Sequence, residues 1–173
     1  MDQHGYEHLH APWRMEYIEQ FGAPKDGCIF CEKPREDADA ANYLVYRGQR
    51  NFIILNAFPY NNGHLMVIPY QHTADFTELP AETLQEMMAL AKLAIRALQC
   101  VMRPDGFNMG MNLGRPAGAG IAEHLHLHIV PRWQGDTNFM PVIGNTRVLP
   151  ESLERTWQKV HEAFQVILTE TDE

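Results

Sequence analysis

Glu123-His-Leu-His-Leu-His-Ile-Val-Pro-Arg-Trp133 is the stretch that decides the fold, because three histidines alternate in it with apolar residues. Successive side chains of a β-strand point to opposite faces, so the leucines and the isoleucine are predicted to face a core. The histidines, His124, His126 and His128, are then predicted to face the other way, in a row spaced about 7 Å apart. Three imidazoles in a row are hard to satisfy with hydrogen bonds inside a core. The pattern therefore favours a site that handles phosphate, metal or protons over a strand that carries histidine by chance.

The composition is that of an ordinary globular chain. Its 173 residues suit one domain spanning 1–173, and a 45% apolar share with 21% charged residues is typical of such domains. No apolar run is long enough to cross a bilayer, and the N-terminus lacks the basic and apolar regions of a secretory signal. We therefore expect the chain in the cytoplasm, without a membrane partner.

The charge balance argues against a nucleic-acid partner. The formal net charge is −8, whereas general nucleic-acid binders are normally basic. A small phosphorylated ligand can still bind, but only through local donors such as backbone amides, imidazoles and one or two arginines. The expected partner is therefore a small molecule rather than a polynucleotide.

The rest of the chain predicts an α+β fold with an antiparallel sheet of about five short strands. Besides the histidine strand, the predicted strands are 43–47, 51–57, 64–69 and 107–112. One long helix, 77–102, lies between the third and fourth strands, and a C-terminal helix covers 150–168. The core is predicted to span 24–135, with 1–23 as an extension that contains a short helix over 13–21. A small sheet covered on one side leaves an edge unprotected, which favours a homodimer.

The sequence also predicts the N-cap of the long helix and the buried faces of the two main helices. Thr77 is the expected N-cap of the long helix, and Cys100 is expected to be a small core residue. The apolar face of this helix is predicted to comprise Leu84, Met87, Met88, Ala91, Ala94, Ile95, Leu98 and Val101. The apolar face of the C-terminal helix is predicted to comprise Leu153, Trp157, Val160, Phe164 and Ile167. His161 lies beside that face and is expected at the surface.

Cys28 and Cys31 form a Cys-x-x-Cys motif. In a reducing compartment this spacing indicates metal or redox chemistry rather than a structural disulfide. A thioredoxin-like redox pair is disfavoured because no parallel βαβ pattern surrounds the motif. The plain alternative is a pair of reduced core cysteines.

A glycine-rich loop, 114–120, stands just before the histidines. Its glycines let consecutive backbone amides approach a ligand and form a concave anion site. Such a loop is also typical of a long hairpin turn, but this one runs straight into the histidine strand. It is therefore predicted to be a phosphate cradle beside a nucleophile or a proton donor. A neutral imidazole can attack phosphorus near pH 7 and pass the group on without a catalytic metal.

The segment 124–130, His-Leu-His-Leu-His-Ile-Val, resembles the signature of the histidine triad (HIT) family, His-φ-His-φ-His-φ-φ with φ apolar. The similarity covers roughly 24–135, and the flanking segments resemble a bacterial branch similar to diadenosine tetraphosphate phosphorylases and hydrolases. The resemblance implies a HIT-like fold and a nucleotidyl hydrolase or transferase. It would act on the α-phosphate of dinucleoside polyphosphates through a covalent nucleotidyl-histidine intermediate.

Two alternative hypotheses fit the same residues. One is a nucleoside phosphoramidate hydrolase of the same family, and another is a non-enzymatic, zinc-stapled nucleotide-binding adaptor. A metalloenzyme with all three histidines on one ion is disfavoured, because alternate positions of one strand point roughly parallel.

The resemblance also implies roles for single residues. His126 would be the nucleophile, and His128 would contact the phosphate and the leaving oxygen. The main-chain carbonyl of His124 would hold the His126 ring in the attacking tautomer, and His64 corresponds to a fourth histidine of the family. The implied nucleotide- and phosphate-binding residues are Asn56, Asn112, Gly118, Ala119 and Gly120.

Gly120 departs from the pattern of many family hydrolases, which carry Gln at this position. The similar phosphorylases tend to have a small residue there. The roomier loop slightly favours inorganic phosphate over water as the acceptor in the second half-reaction.

The resemblance implies two further ligands for a metal ion bound by the Cys-x-x-Cys motif. Similar bacterial HIT proteins bind a structural zinc, and the set implied for this chain is Cys28, Cys31, His72 and His124. If zinc takes the side chain of His124, then His126 and His128 are left for the phosphate chemistry.

Overall fold

An antiparallel sheet is the centre of the fold, and the computed structural model describes residues 27–137, 139, 143 and 149–171. Within this range five strands pair in the order β1-β2-β3-β5-β4. The strands are β1 (Leu44–Arg47), β2 (Asn51–Leu55), β3 (Leu65–Pro69), β4 (Gly106–Gly110) and β5 (Leu127–Arg132). The helices are α1 (Ile29–Glu32), α2 (Asp39–Asn42), α3 (Ala81–Met102) and α4 (Leu153–Thr171).

The predicted fold class is confirmed. The sheet is antiparallel, α3 lies between β3 and β4, and a C-terminal helix follows. The first strand begins one residue later than predicted, because Tyr43 takes a left-handed conformation with φ +58° at the end of α2. The predicted short helix over 13–21 lies outside the described residues.

The two faces of the sheet have different partners. One face, including Leu127 and Ile129 of β5, packs with α3 and α4 in the larger hydrophobic cluster, as the alternating pattern predicts. The other face carries Met66 of β3 and packs against Phe30 of α1 in a smaller cluster. Met66 lies directly opposite His128 in the β3–β5 pair. Residues opposite each other share a face, so His128 points to the α1 side of the sheet.

The long helix begins four residues later than predicted, and Thr77 is not its N-cap. Asp75 caps a separate 3₁₀ turn, Phe76–Glu78, by accepting a hydrogen bond from the amide of Thr77. Pro80 is the N-cap residue of α3 and has an extended ψ of 147°. A proline disfavours the helical region for the residue before it, so the turn and α3 cannot run on as one helix.

Two predictions about the buried face of α3 are wrong. Cys100 is exposed, and Met88 is 52% exposed. The buried residues of α3 are Thr83, Met87, Leu90, Ala91, Ala94, Ala97 and Leu98. Alanines supply three of these seven buried residues, and larger residues beside the stripe, such as Met88, reach solvent.

His161 of α4 is half-buried rather than a plain surface residue. Its Nδ1 lies 2.9 Å from the carbonyl oxygen of Val45, and its ring stacks on Trp157 at a centroid distance of 4.8 Å. The Trp157 indole donates to the carbonyl of Leu44 at 2.8 Å. Together they hold α4 against β1. Among the described residues, no helix combines the length and apolar character needed to cross a membrane.

Candidate functional site

The three histidines do not form the straight row that the alternating pattern predicts. His124 and His126 precede β5, which begins at Leu127, and only His128 lies in the strand. The rings of His126 and His128 meet edge to face, with centroids 4.7 Å apart and planes at 80°. The chain bends before β5, so these two rings converge while the side chain of His124 turns to another group of ligands.

Main-chain geometry fixes the tautomer of His126. Its Nδ1 lies 2.9 Å from the carbonyl oxygen of His124. A carbonyl can only accept a hydrogen bond, so Nδ1 carries the proton and Nε2 keeps its lone pair. Burial lowers the pKa of His126, and the hydrogen bond to the carbonyl opposes part of this shift. The arrangement presents a neutral imidazole with a basic nitrogen turned away from the main chain.

A second pair of imidazoles fixes the opposite tautomer at His128. The amide of Tyr60 donates to Nδ1 of His64 at 3.1 Å, so His64 carries its proton on Nε2. That Nε2 lies 2.9 Å from Nδ1 of His128 and donates to it. Neutral His128 therefore holds its own proton on Nε2. At the same ring position, Nε2, His126 therefore presents a lone pair and His128 presents an N–H.

The turn 56–64 holds His64 in this role. His64 is fully buried, and the ring of Tyr60 packs on it at 4.6 Å and on His128 at 5.6 Å. Asn56 accepts from the amide of Phe58 at 2.9 Å and places its Nδ2 3.3 Å from Nδ1 of His64. Gly63 has φ +75°, and a Cβ there would lie 2.6 Å from the sulfur of Met102, so glycine is required.

Tyr60 is a residue that sequence reasoning missed. Its position in the Pro59-Tyr-Asn-Asn62 turn cluster gives a turn signal, but nothing in the pattern shows that its ring covers two imidazoles.

Two amides of the glycine-rich loop, which is predicted to be a phosphate cradle, make hydrogen bonds within the loop. It contains a 3₁₀ turn, Arg115–Ala117, and the amide of Gly118 donates to the carbonyl of Arg115 at 2.9 Å. The amide of Ala119 donates to the carbonyl of Gly114 at 3.3 Å. The side chain of Asn112 donates to the carbonyl of Gly118 at 3.3 Å. These amides close the loop on itself, so a phosphate would have to compete with the loop carbonyls for them.

All four predicted metal ligands come together on the α1 side of the sheet. The donor atoms of Cys28, Cys31, His72 and His124 all lie within 4.8 Å of one another. Nδ1 of His124 lies 3.2 Å from Nδ1 of His72, 3.3 Å from the sulfur of Cys28 and 3.6 Å from that of Cys31. The cysteines come from the start of α1 and the histidines from loops after β3 and before β5.

The geometry of this group fits a tetrahedral ion. With nitrogen and sulfur ligands at the usual zinc distances, tetrahedral edges measure about 3.3 Å between nitrogens and about 3.6 Å between nitrogen and sulfur. Nε2 of His124 lies 2.8 Å from the carbonyl oxygen of Pro69 and donates to it, which leaves Nδ1 free to bind a cation. Such a second partner is typical of metal-binding histidines. This group could therefore bind a metal ion.

Phe30 joins the two halves of the site and was also missed from the sequence. It lies between the two cysteines, and its ring contacts that of His124 at 5.6 Å and that of His126 at 5.3 Å. The only available signal was an aromatic residue inside the Cys-x-x-Cys motif.

Comparison with known proteins gives consistent results. The HIT domain family model matches residues 38–135. A protein of Mycobacterium tuberculosis named AP-4-A phosphorylase is 41% identical over 157 residues, which cover 87% of this chain and 80% of that protein. An uncharacterised HIT-like protein of Mycoplasma genitalium is 32% identical over 136 residues, covering 79% of this chain and 93% of that protein.

A solved structure adds a metal-bound relative. The crystal structure of a Zn-bound histidine triad family protein from Mycobacterium smegmatis has a TM-score of 0.66 and 29% sequence identity. The match covers 83% of this chain and 96% of that one.

Proposed function

This chain belongs to the HIT domain family, and we propose that it is a nucleotidyl transferase that cleaves dinucleoside polyphosphates with inorganic phosphate as the acceptor. The observation that carries the proposal is the pair of opposite tautomers at His126 and His128, whose rings are 4.7 Å apart. A reaction that needs a nucleophile and a proton donor side by side is well served by this pair. The likeness to a protein named AP-4-A phosphorylase supports both the substrate class and the acceptor.

In the first half-reaction the lone pair on Nε2 of His126 attacks the α-phosphorus of diadenosine tetraphosphate. A P–N bond forms, and the bond from that phosphorus to the bridging oxygen breaks. The departing oxygen of ATP takes the proton from Nε2 of His128. The proton on Nδ1 of His126 stays on that nitrogen, hydrogen-bonded to the carbonyl oxygen of His124, and this bond stabilises the positive charge that the ring acquires.

In the second half-reaction an oxygen of inorganic phosphate attacks the adenylyl group on His126. The P–N bond breaks, ADP leaves, and the proton of the attacking phosphate returns to His128. Gly120 supports phosphate as the acceptor, because a residue without a side chain leaves room beside the intermediate. Water in the same place would give AMP instead, which is the hydrolase alternative.

The binding residues follow from the same assignment. We propose Asn56 for the ribose, and Asn112 with the loop residues Gly118, Ala119 and Gly120 for phosphate. Because the amides of Gly118 and Ala119 already donate inside the loop, their binding of phosphate requires the loop to open. The assignment of the Gly120 amide to phosphate does not require the loop to open.

We also propose that Cys28, Cys31, His72 and His124 bind zinc as a structural ion. The donor set, the tetrahedral spacing and the Zn-bound relative support this choice of metal. The ion would join α1 to the loop after β3 and to the loop before β5. The phosphate chemistry does not require it as a Lewis acid.

The expected assembly is a homodimer formed in the cytoplasm. Strand β4 lies at one end of the sheet, and Met109 and Leu113 at and just beyond it are 47% and 51% exposed. Pairing with a second copy would cover such an edge.

The direct test is incubation with diadenosine tetraphosphate, with and without inorganic phosphate, followed by separation of the nucleotides. The proposal predicts ADP plus ATP, formed only when phosphate is present. AMP plus ATP in the absence of phosphate would make the chain a hydrolase. Nucleotide that stays bound without any product would favour the adaptor. The variant Cys100→Ser, which changes an exposed side chain of α3, is the matched control and should give the same products as the parent.

A further inference from the structure

His124 takes part in both halves of the site at once. Its ring nitrogen Nδ1 faces the other three members of the metal-binding group, Cys28, Cys31 and His72. Its Nε2 donates to the carbonyl of Pro69 at 2.8 Å, and its own carbonyl accepts from His126 at 2.9 Å. Side chain and carbonyl of one residue are separated by a few covalent bonds. A shift of the ring therefore moves the carbonyl that fixes the tautomer of His126.

Phe30 provides a second link between the same two groups. It stands between Cys28 and Cys31, and its ring lies edge-on to His124 at 89° and tilted at 56° to His126. It is 3% exposed, so its ring has little room to move independently of these neighbours. Displacement of the cysteines would carry the ring away from His126.

We propose that the metal-binding group is a positioning device for the nucleophile. With a cation bound, the ring of His124 is fixed, its carbonyl stays in line with Nδ1 of His126, and Nε2 of His126 keeps its lone pair. Without the cation the four ligands lose their common centre, the His124 carbonyl shifts, and His126 interconverts between its two tautomers. This role goes beyond holding two segments together, because the tautomer of His126 depends on the ion while the rest of the fold is retained.

The pair His64 and His128 provides an internal reference. The tautomer of His128 is set by His64, which in turn is held by the amide of Tyr60. No ligand of the metal-binding group takes part in those hydrogen bonds. Loss of the metal is therefore expected to change His126 and to leave His128 as it is, whereas general loosening of the fold would change both.

The test uses Cys31→Ser and Cys100→Ser, the same substitution at a metal-binding and an exposed cysteine. Metal content is measured by mass spectrometry, folding by circular dichroism, and ring tautomers by long-range ¹H–¹⁵N NMR without substrate. We expect Cys31→Ser to lose the ion, to stay folded, and to show mixed tautomers at His126 with a single tautomer at His128. Cys100→Ser should match the parent in all three measurements.

The kinetic arm rests on the proposed function and is read separately. The rate of adenylyl transfer to the protein in a single turnover should fall about 10- to 100-fold in Cys31→Ser, with the KM for diadenosine tetraphosphate within about twofold of the parent. If the parent does not cleave this substrate at all, the proposed function fails, but the NMR result still decides the positioning role.

Two NMR results would overturn the proposal. One is a metal-free Cys31→Ser protein that keeps the single Nδ1–H tautomer at His126. The other is equal mixing at His126 and His128, which would mean general loosening. If Cys31→Ser does not fold, His72→Ala replaces it, since this ligand is exposed and three ligands remain. Titration of that variant with zinc should restore the His126 tautomer in step with metal occupancy, and a tautomer ratio independent of zinc would contradict the account.

Discussion

His126 and His128 stand two residues apart and are held in opposite tautomers by different kinds of neighbour. The carbonyl that holds His126 belongs to its own segment, two residues back. The imidazole that holds His128 is His64, which arrives from a turn between β2 and β3. The difference shows that the hydrogen bond that sets the His126 tautomer lies within a short motif, whereas the one that sets the His128 tautomer depends on a distant part of the chain. The two histidines can therefore be perturbed separately by substitution.

Removal of the nucleophile should have the largest effect. In His126→Ala no side chain can take up the nucleotidyl group, so kcat should fall by roughly 10,000-fold or more. The thermal unfolding midpoint, measured by circular dichroism, should stay near that of the parent because the ring is one of several that line this face. Near-normal turnover of diadenosine tetraphosphate by this variant would remove the basis of the proposed mechanism.

Loss of the proton donor should have a smaller effect than loss of the nucleophile. In His128→Gln the ATP oxygen must leave without a well-placed acid, and kcat should fall by about 1,000-fold. Substrates with a leaving group of low pKa, such as a nitrophenyl ester of AMP, should be much less affected because they need little protonation. If both substrates lose the same factor, His128 does not act as the acid.

The distant half of the comparison is tested at His64. In His64→Phe the Nδ1 of His128 loses its donor, at a cost of about 1–2 kcal/mol, so kcat should fall about tenfold. His64→Gln is the matched variant, because its side-chain amide can donate in the same direction. Recovery of most of the activity in His64→Gln, with KM unchanged in both variants, is the expected pattern. Equal losses in the two variants would show that His64 acts only by filling space.

The smallest effect is expected at Asp136, which helps to connect the two halves. Asp136 accepts from Arg132 of β5 at 2.6 Å and from Asn61 of the His64 turn at 2.9 Å. The Arg132 guanidinium holds the pKa of this carboxyl well below its usual range. Asp136→Asn should lower the free energy of unfolding by about 1 kcal/mol at neutral pH, because Arg132 is partly exposed and solvent weakens the pair.

The pH dependence of this contribution follows from the sign of the shift. A carboxyl with a lowered pKa in the folded state stabilises the fold above its unfolded pKa, and that stabilisation is lost as the pH falls toward the folded pKa. Chemical denaturation of parent and Asp136→Asn should therefore differ at pH 7 and converge in acid, below about pH 4. A difference that is constant with pH would mean that the ion pair contributes nothing.

The fold could be predicted from the sequence to a large extent, because its signals are local. Alternation in 124–130, the turn residues and the helical spacing of 77–102 are enough for the order of strands and helices. The errors lie where neighbours in space override local pattern. Thr77 lies in a separate turn that Asp75 caps, whereas the N-cap residue of α3 is Pro80. Cys100 faces solvent because the buried stripe of α3 ends with Ala97 and Leu98.

The same distinction between local signals and contacts of distant residues applies to the site. The His124 carbonyl contact lies within the motif, so the pattern and the family resemblance could supply it. The convergence of Cys28, Cys31, His72 and His124 was implied by the resemblance, since three separate segments of sequence cannot show by themselves that they meet. Tyr60 and Phe30 escaped prediction because their importance lies in which rings they touch. The closed glycine loop escaped it because composition cannot show where an amide points.

Whether His126 is the nucleophile is decided by identifying the residue that carries the nucleotide. The protein would be mixed with diadenosine tetraphosphate labelled at the α-phosphate, quenched in base to preserve the P–N bond, and analysed by peptide mapping. We expect label on His126, none in His126→Ala, and retained label in His128→Gln. Label on His128, or turnover in the parent without any labelled histidine, would contradict it.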